Sequence, residues 1–130
     1  MIKPDAVADG NIGPILMEIH NAKFHLRYCR LWRFTKEAAS AFYAEHKGRP
    51  FYDALIEFTC SGPALLLILE ETIAVRRWRE MMGSTHPANA EPHTIRHRYG
   101  KGMPNNAVHG SDSVESAVRE IALIQEITNG

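Results

Sequence analysis

The sequence lacks an excess of charge of either sign, a paired set of cysteines and a long hydrophobic run. Its 130 residues carry 15 Lys and Arg against 15 Asp and Glu, so the formal net charge is zero. A chain without a broad basic surface is poorly suited to duplex nucleic acid or an anionic membrane. We therefore expect any anionic ligand to be bound by a few local cations.

Two cysteines are present, Cys29 and Cys60, and their spacing suggests neither zinc nor redox chemistry. No apolar run approaches the roughly 20 residues that span a bilayer, and the first residues lack the apolar stretch of a secretory signal. These absences predict a cytoplasmic protein with reduced thiols and no membrane partner. A chain of 130 residues with 45% hydrophobic residues predicts a single domain, residues 1–130.

Hydrophobic periodicity predicts both helices and strands. Apolar residues recur at helical spacing from Ile12, and bulky residues alternate with polar ones over residues 24–34, with Arg30 as the exception. Thr35 is placed to cap the next helix. The continuous apolar run at residues 64–69 predicts a central strand covered on both faces. This mixture predicts an α/β or α+β domain.

The last third of the sequence places a histidine where chain geometry is well defined. Residues 84–106 are polar and predict a long irregular loop, and loops of that length are usually functional. A short extended piece then ends at His109, just before a helix whose start we expect at a capping box of Asp112 and Glu115. A lone histidine is more often structural than catalytic, so the position alone does not assign a function.

Four segments, in order along the chain, resemble the signature stretches of nucleoside diphosphate kinases. They are residues 2–7 (Ile-Lys-Pro-Asp-Ala-Val), 43–51 (Tyr-Ala-Glu-His-Lys-Gly-Arg-Pro-Phe), 61–63 (Ser-Gly-Pro) and 106–113 (Asn-Ala-Val-His-Gly-Ser-Asp-Ser). The resemblance covers nearly the whole chain. It implies a kinase that transfers the terminal phosphoryl of ATP or another nucleoside triphosphate (NTP) to a nucleoside diphosphate (NDP), by a ping-pong route.

The resemblance also implies roles for individual residues. His109 would be phosphorylated, Glu120 would bind its other ring nitrogen, and Ser111 would support the histidine. Lys3 and Tyr43 would approach the transferred phosphoryl group. The implied nucleotide-binding residues are Lys3, Arg79, Thr85 and Arg96 for phosphates, Asn106 for the ribose, and Phe51, Leu55 and Met103 around the base. Mg²⁺ would bridge the phosphates, so we predict no protein ligand for the metal.

The fold implied by the resemblance is a ferredoxin-like α/β sandwich, a four-stranded antiparallel sheet with helices on its faces. Members of the family are commonly tetramers or hexamers built from dimers, so we expect a homo-oligomer. The chain departs from the family pattern at His93, which stands in place of a glycine, and at Pro104. It is also expected to be shortened at both ends.

Three other interpretations stay open at this stage. One is a catalytically weak nucleotide-binding or scaffold module of the same fold, which the departures at His93 and Pro104 favour. A second is binding of single-stranded nucleic acid by stacking, against which the scattered basic residues argue. The third is a metal cluster among the histidines of residues 86–109, but their spacing matches no compact ligand pattern.

Overall fold

The fold is given by a computed structural model, which describes residues 1–129. Helices and strands are mixed along the chain, which confirms the α+β class. The elements are α1 (Pro4–Ala8), α2 (Ile12–Asn21), β1 (His25–Trp32), α3 (Lys36–Phe42), α4 (Tyr52–Thr59), β2 (Ala64–Glu70), α5 (Ala74–Met82), α6 (Ile95–Tyr99) and α7 (Val114–Ile127), with 3₁₀ turns at Ala44–His46 and Pro87–Asn89. Among these elements, no helix has the length and apolar content needed to cross a membrane.

The sheet of the described residues has two strands, so the predicted four-stranded sheet is not confirmed. β1 and β2 pair antiparallel, from His25 opposite Glu70 to Trp32 opposite Ala64. Beyond β2, Ile2 forms isolated antiparallel bridges to Leu65 and to Val108. These two segments stay short because α1 begins directly at Pro4 and because the backbone at Ala107 has a φ of 71°.

The core consists of two apolar clusters that lie on opposite faces of β2. Leu65 and Leu67 belong to one cluster, while Ala64 and Leu66 belong to the other. Successive strand residues point to opposite faces, so a strand covered on both sides reads as one apolar run. The prediction of a central strand at residues 64–69 is therefore confirmed.

β1 is less buried than its alternating pattern suggests. Phe24 and Phe34, which flank the strand, are buried, but Leu26 and Leu31 are about half exposed at 47% and 53%. The unexpected Arg30 has a partner, because its guanidinium donates to the Thr128 carbonyl at 2.6 Å. This contact ties the outer strand to the end of α7.

Local capping signals were only partly right. Thr35 does cap α3, since its hydroxyl accepts from the Ala38 amide at 3.1 Å. The capping box predicted at Asp112 is wrong, because the N-cap of α7 is Ser113, which accepts from the Ser116 amide at 3.1 Å. Asp112 binds Arg79 instead.

The polar stretch at residues 84–106 is not a wholly irregular loop. It contains the Pro87–Asn89 turn and α6, whose N-cap Thr94 accepts from the His97 amide at 3.4 Å. α6 has five residues and too few apolar positions to show a helical period. The prediction failed because capping and the burial of Ile95, not periodicity, define this helix.

Candidate active site

His109 lies between the Val108 bridge and the start of α7, and it faces a carboxylate from the same helix. The His109 Nε2 atom is 2.6 Å from Oε1 of Glu120. Both side chains are largely covered, with exposed fractions of 21% and 8%. Burial lowers the pKa of His109, and the Glu120 carboxylate offsets this only in part. The imidazole is therefore neutral near pH 7, and the contact with Glu120 does not involve Nδ1.

Aromatic rings from the end of α3 enclose the imidazole. The Phe42 ring centroid is 5.0 Å from that of His109, and the Tyr43 centroid is 5.5 Å away. Both rings meet the imidazole edge to face, which is a favoured geometry for aromatic pairs. The Tyr43 hydroxyl is buried and has no hydrogen-bond partner within residues 1–129. Burial raises the pKa of Tyr43, so the hydroxyl stays a proton donor.

Three side chains hold the backbone that leads to His109. Asp5 accepts from the Ala107 amide through Oδ2 at 3.0 Å, and Arg96 Nη2 donates to the Val108 carbonyl at 3.0 Å. Trp78 Nε1 donates to the carbonyl of His109 itself at 3.3 Å. Sequence reasoning missed the supporting roles of Asp5 and Trp78. The only signal was that Asp5 lies within the first resembling segment.

Lys3 and Asn106 form a buried polar pair close to this segment. Lys3 Nζ donates to Asn106 Oδ1 at 2.7 Å and to the Pro104 carbonyl at 2.6 Å. Burial lowers the pKa of Lys3 to about 8, so the ammonium form still dominates at neutral pH. Asn106 Nδ2 donates to the Thr85 carbonyl at 2.9 Å and lies 3.5 Å from the Met103 sulfur. Four sequence-predicted residues are thus brought together.

The two predicted phosphate-binding arginines lie in different environments. Arg79 is exposed and pairs with Asp112, with Nη1 and Oδ1 2.8 Å apart. Arg96 is buried and donates to the carbonyls of Gly83 and Val108, while its Nε atom has no partner within the described chain. Burial lowers the pKa of Arg96 to about 10, which leaves it charged at neutral pH.

The remaining predicted residues are spread over the surface and the core. Phe51 and Met103 are half exposed, at 47% and 50%, whereas Leu55 is buried at 7%. The Phe51 ring lies 5.4 Å from His46, which in turn stacks on Tyr43 at 6.1 Å. Thr85 is exposed, and Ser111 lines the same small cavity as His109 and Glu120.

His93, which stands in place of the family's glycine, does not require a strained backbone. The residues with positive φ other than glycine are Lys23, Ala107 and Asn129, so His93 lies outside the left-handed region. Its carbonyl accepts from Arg98 Nη2 at 3.2 Å. A histidine would cost stability at a position that needs a positive φ, and His93 is not at such a position.

Comparison with known proteins assigns the chain to a family. A family model described as nucleoside diphosphate kinase matches residues 1–128. The chain belongs to the nucleoside diphosphate kinase family. Its activity is that of a phosphotransferase acting between nucleoside triphosphates and diphosphates.

Solved structures of the family share the fold over most of their length. The nucleoside diphosphate kinase of Aquifex aeolicus superposes with a TM-score of 0.93 at 40% identity, over 95% of this chain and 89% of its own. The Halobacterium salinarum enzyme, solved in complex with CDP, gives 0.91 at 38% identity over 94% and 82%. The apo Encephalitozoon cuniculi enzyme gives 0.91 at 32% identity over 94% and 83%.

Proposed function

We propose that this kinase transfers the phosphoryl group through His109. The observation that carries the proposal is the 2.6 Å contact between His109 Nε2 and Glu120 Oε1, which fixes the ring and leaves Nδ1 as the nucleophile. Burial lowers the pKa of His109, and this favours the unprotonated ring that attack requires. Glu120 then stabilises the positive charge that develops on the ring in the transition state.

The reaction takes two displacements of the same kind. In the first, the Nδ1 lone pair attacks the terminal phosphorus of the NTP, and the bond from that phosphorus to the bridging oxygen breaks. The electron pair leaves with the NDP, and His109 holds a phosphoramidate. In the second, a terminal oxygen of another NDP attacks the same phosphorus and the bond to Nδ1 breaks, which restores the free imidazole.

Lys3 and Tyr43 would neutralise the charge on the transferred group. Lys3 supplies a buried cation near His109, and its two hydrogen bonds leave the third ammonium proton for a phosphoryl oxygen. The Tyr43 hydroxyl is a buried donor without a hydrogen-bond partner in residues 1–129, which suits it to bind the same oxygen atoms. Ser111 would support the His109 and Glu120 pair from the adjoining cavity.

The other predicted residues would bind the rest of the nucleotide. Arg79, Arg96 and Thr85 would contact the non-transferred phosphates, for which Arg79 would have to share its charge between Asp112 and the ligand. Asn106 would contact the ribose. Phe51 and Met103 offer exposed apolar surface for the base, and Leu55, whose amide donates to the Phe51 carbonyl at 3.0 Å, is buried in the second core cluster. Stacking on such a surface tolerates any base.

A divalent cation, which we propose to be Mg²⁺, would accompany the nucleotide. Within residues 1–129 no group of three or more His, Cys, Asp or Glu side chains is arranged to hold a metal. The ion would be held mainly by the phosphate oxygens of the nucleotide and by water. The cation would supply charge neutralisation on the phosphates.

Assembly and location are extensions of the family membership. We propose a homo-oligomer built from dimers, a tetramer or hexamer, located in the cytoplasm. The half-exposed Leu26 and Leu31 of β1 support an assembly, because they would otherwise leave apolar surface in water.

Initial-rate kinetics test the proposed route. ATP would be varied against ADP, GDP or dTDP at several fixed concentrations, and a phosphohistidine intermediate predicts parallel double-reciprocal lines with all three acceptors turned over. His109→Gln should abolish turnover, whereas the exposed His20→Gln should match the wild-type protein. Intersecting lines would replace the covalent route with direct transfer. A folded protein that phosphorylates none of the acceptors would favour the scaffold interpretation.

A further inference from the structure

Trp78 connects α5 to the backbone of the nucleophile. It is buried, with 7% exposed, and its indole nitrogen donates to the His109 carbonyl at 3.3 Å. Behind it, the Phe24 ring meets the indole edge to face, with the ring centroids 6.4 Å apart. The indole is therefore fixed on one side by packing and bonded to His109 on the other.

The same indole explains the glycine that follows His109. A Cβ atom at Gly110 would lie 2.4 Å from Trp78 Cδ1, 2.6 Å from Trp78 Nε1 and 2.7 Å from the Met82 methyl carbon. Gly110 is not among the glycines with positive φ, so the backbone conformation does not demand glycine here. The requirement comes from the approach of Trp78, whose rigid ring cannot give way as the Met82 methyl can.

We infer that Trp78 is a positioning residue for His109, which orients the imidazole on Glu120 by bonding the His109 carbonyl and packing on Gly110. The inference rests on the proposed function, since it matters only if His109 accepts the phosphoryl group. It assigns Trp78 no contact with the nucleotide. Small displacements of a nucleophile cost rate steeply, which is why such a contact is consequential.

Trp78 shares this task with other contacts. The His109 carbonyl also accepts from the Met1 amino nitrogen at 3.0 Å, and a carbonyl oxygen can accept two such bonds. Asp5 and Arg96 hold the two preceding residues. Loss of the indole N–H should therefore weaken the positioning of His109 without abolishing activity.

The primary test compares Trp78→Phe with Trp32→Phe, which removes an indole from β1 in the other core cluster. For Trp78→Phe we expect kcat to fall roughly tenfold with KM changed less than about twofold, the range of one lost hydrogen bond. The acid limb of kcat/KM should move to higher pH. Burial lowers the pKa of His109, and water that reaches the ring in the variant should raise this pKa again. Trp32→Phe should match the wild-type protein in all three quantities.

These readouts separate positioning from stability. The charged groups that act on His109, namely Glu120, the Met1 amino group and Lys3, are unchanged in both variants. A purely structural Trp78 would lower the melting temperature and leave kcat and the acid limb of the folded protein at wild-type values. That result would overturn the inference.

A second pair of variants covers the case in which Trp78→Phe does not fold, as judged by circular dichroism. Gly110→Ala should lower kcat by roughly tenfold or more, and Trp78→Leu combined with Gly110→Ala should recover part of that loss because the clash is removed. Wild-type kcat in Gly110→Ala would overturn the inference.

Acid-labile labelling of the wild-type protein by γ-labelled ATP is run in parallel. If the wild-type protein is not labelled, the proposed function is wrong. If it is labelled and the variants keep the wild-type kcat, only the positioning role of Trp78 is wrong.

Discussion

The proposed phosphoryl-transfer side of the site and the proposed base-binding side differ in burial and in hydrogen bonding. On the first side His109, Glu120 and Lys3 are largely covered, and each makes at least one hydrogen bond of 2.7 Å or less. On the second side Phe51 and Met103 are half exposed and neither ring nor thioether is enclosed. In the proposed mechanism the chemical step would use groups that are fixed before the substrate binds, whereas base binding would use an open surface.

This difference predicts which variants affect the chemical step and which affect binding. Groups on the buried side act on charge that develops in the transition state, so their loss should lower kcat. Groups on the open side contact substrate equally in the ground and transition states, so their loss should raise KM. The experiments below would sharpen or break that division.

Lys3→Met should have the largest effect of the substitutions around His109. It removes the buried cation and leaves the Asn106 and Pro104 oxygens without their donor. We expect kcat to fall roughly 10³-fold, as for loss of a transition-state donor. Initial rates at saturating nucleotide measure this, with the exposed Lys36→Met as the control. A loss under threefold would remove Lys3 from the chemical step.

Glu120→Gln should come next, because it retains an acceptor for His109 but removes the negative charge. We expect kcat to fall between roughly 10-fold and 100-fold. Since Glu120 raises the pKa of His109 against burial, the variant should lower that pKa further. An NMR titration of His109 checks the direction, with Glu115→Gln on the same helix as the control. A rise in the pKa would contradict the assigned role.

Activity should also fall on the alkaline side as Lys3 loses its proton. Burial lowers the pKa of Lys3 to about 8, so its positive charge is present below that pH and is lost above it. The profile of kcat/KM, which reports the free enzyme, should drop about tenfold per pH unit beyond this point. Lys3→Arg should shift the limb to higher pH at reduced activity. If the alkaline limb of Lys3→Arg coincides with that of the wild-type protein, a group other than Lys3 causes the loss of activity.

Phe51→Ala should have the smallest effect and should act on binding. We expect KM for the acceptor NDP to rise roughly fivefold to tenfold, the low end for a stacking side chain, with kcat within about twofold. The exposed Met17→Ala serves as the control. If kcat were to fall and KM stay constant, base stacking would be part of the chemical step and the division between the two sides would be wrong.

The sequence predicted most elements that have a clear hydrophobic pattern. β2 was predictable because it is covered on both faces, and the helix starting at Ile12 because Ile15 and Ile19 face the core. α6 was not, because a cap and one buried isoleucine define it. The four-stranded sheet came from the resemblance, and the described chain pairs Ile2 and Val108 only through single bridges.

The candidate site was predictable where a motif names the residue and not where packing does. His109 and Lys3 lie within the resembling segments, and Glu120 was implied by the same resemblance. The structure pairs His109 with Glu120 and Lys3 with Asn106, while their roles stay predictions. Trp78 is absent from those segments, and only coordinates reveal its bond to His109. Likewise, the commitment of Arg96 to two backbone carbonyls depends on a fold that brings Gly83 and Val108 together.

The nitrogen of His109 that carries the phosphoryl group gives the most direct measurement of the central claim. The protein would be incubated with γ-labelled ATP, quenched and digested in base, and the phosphohistidine isomers separated by chromatography. Since Glu120 engages Nε2, the label should be found on Nδ1 of His109 and be lost in His109→Gln. Label on Nε2, or on any other residue of the folded protein, would contradict the proposed geometry of transfer.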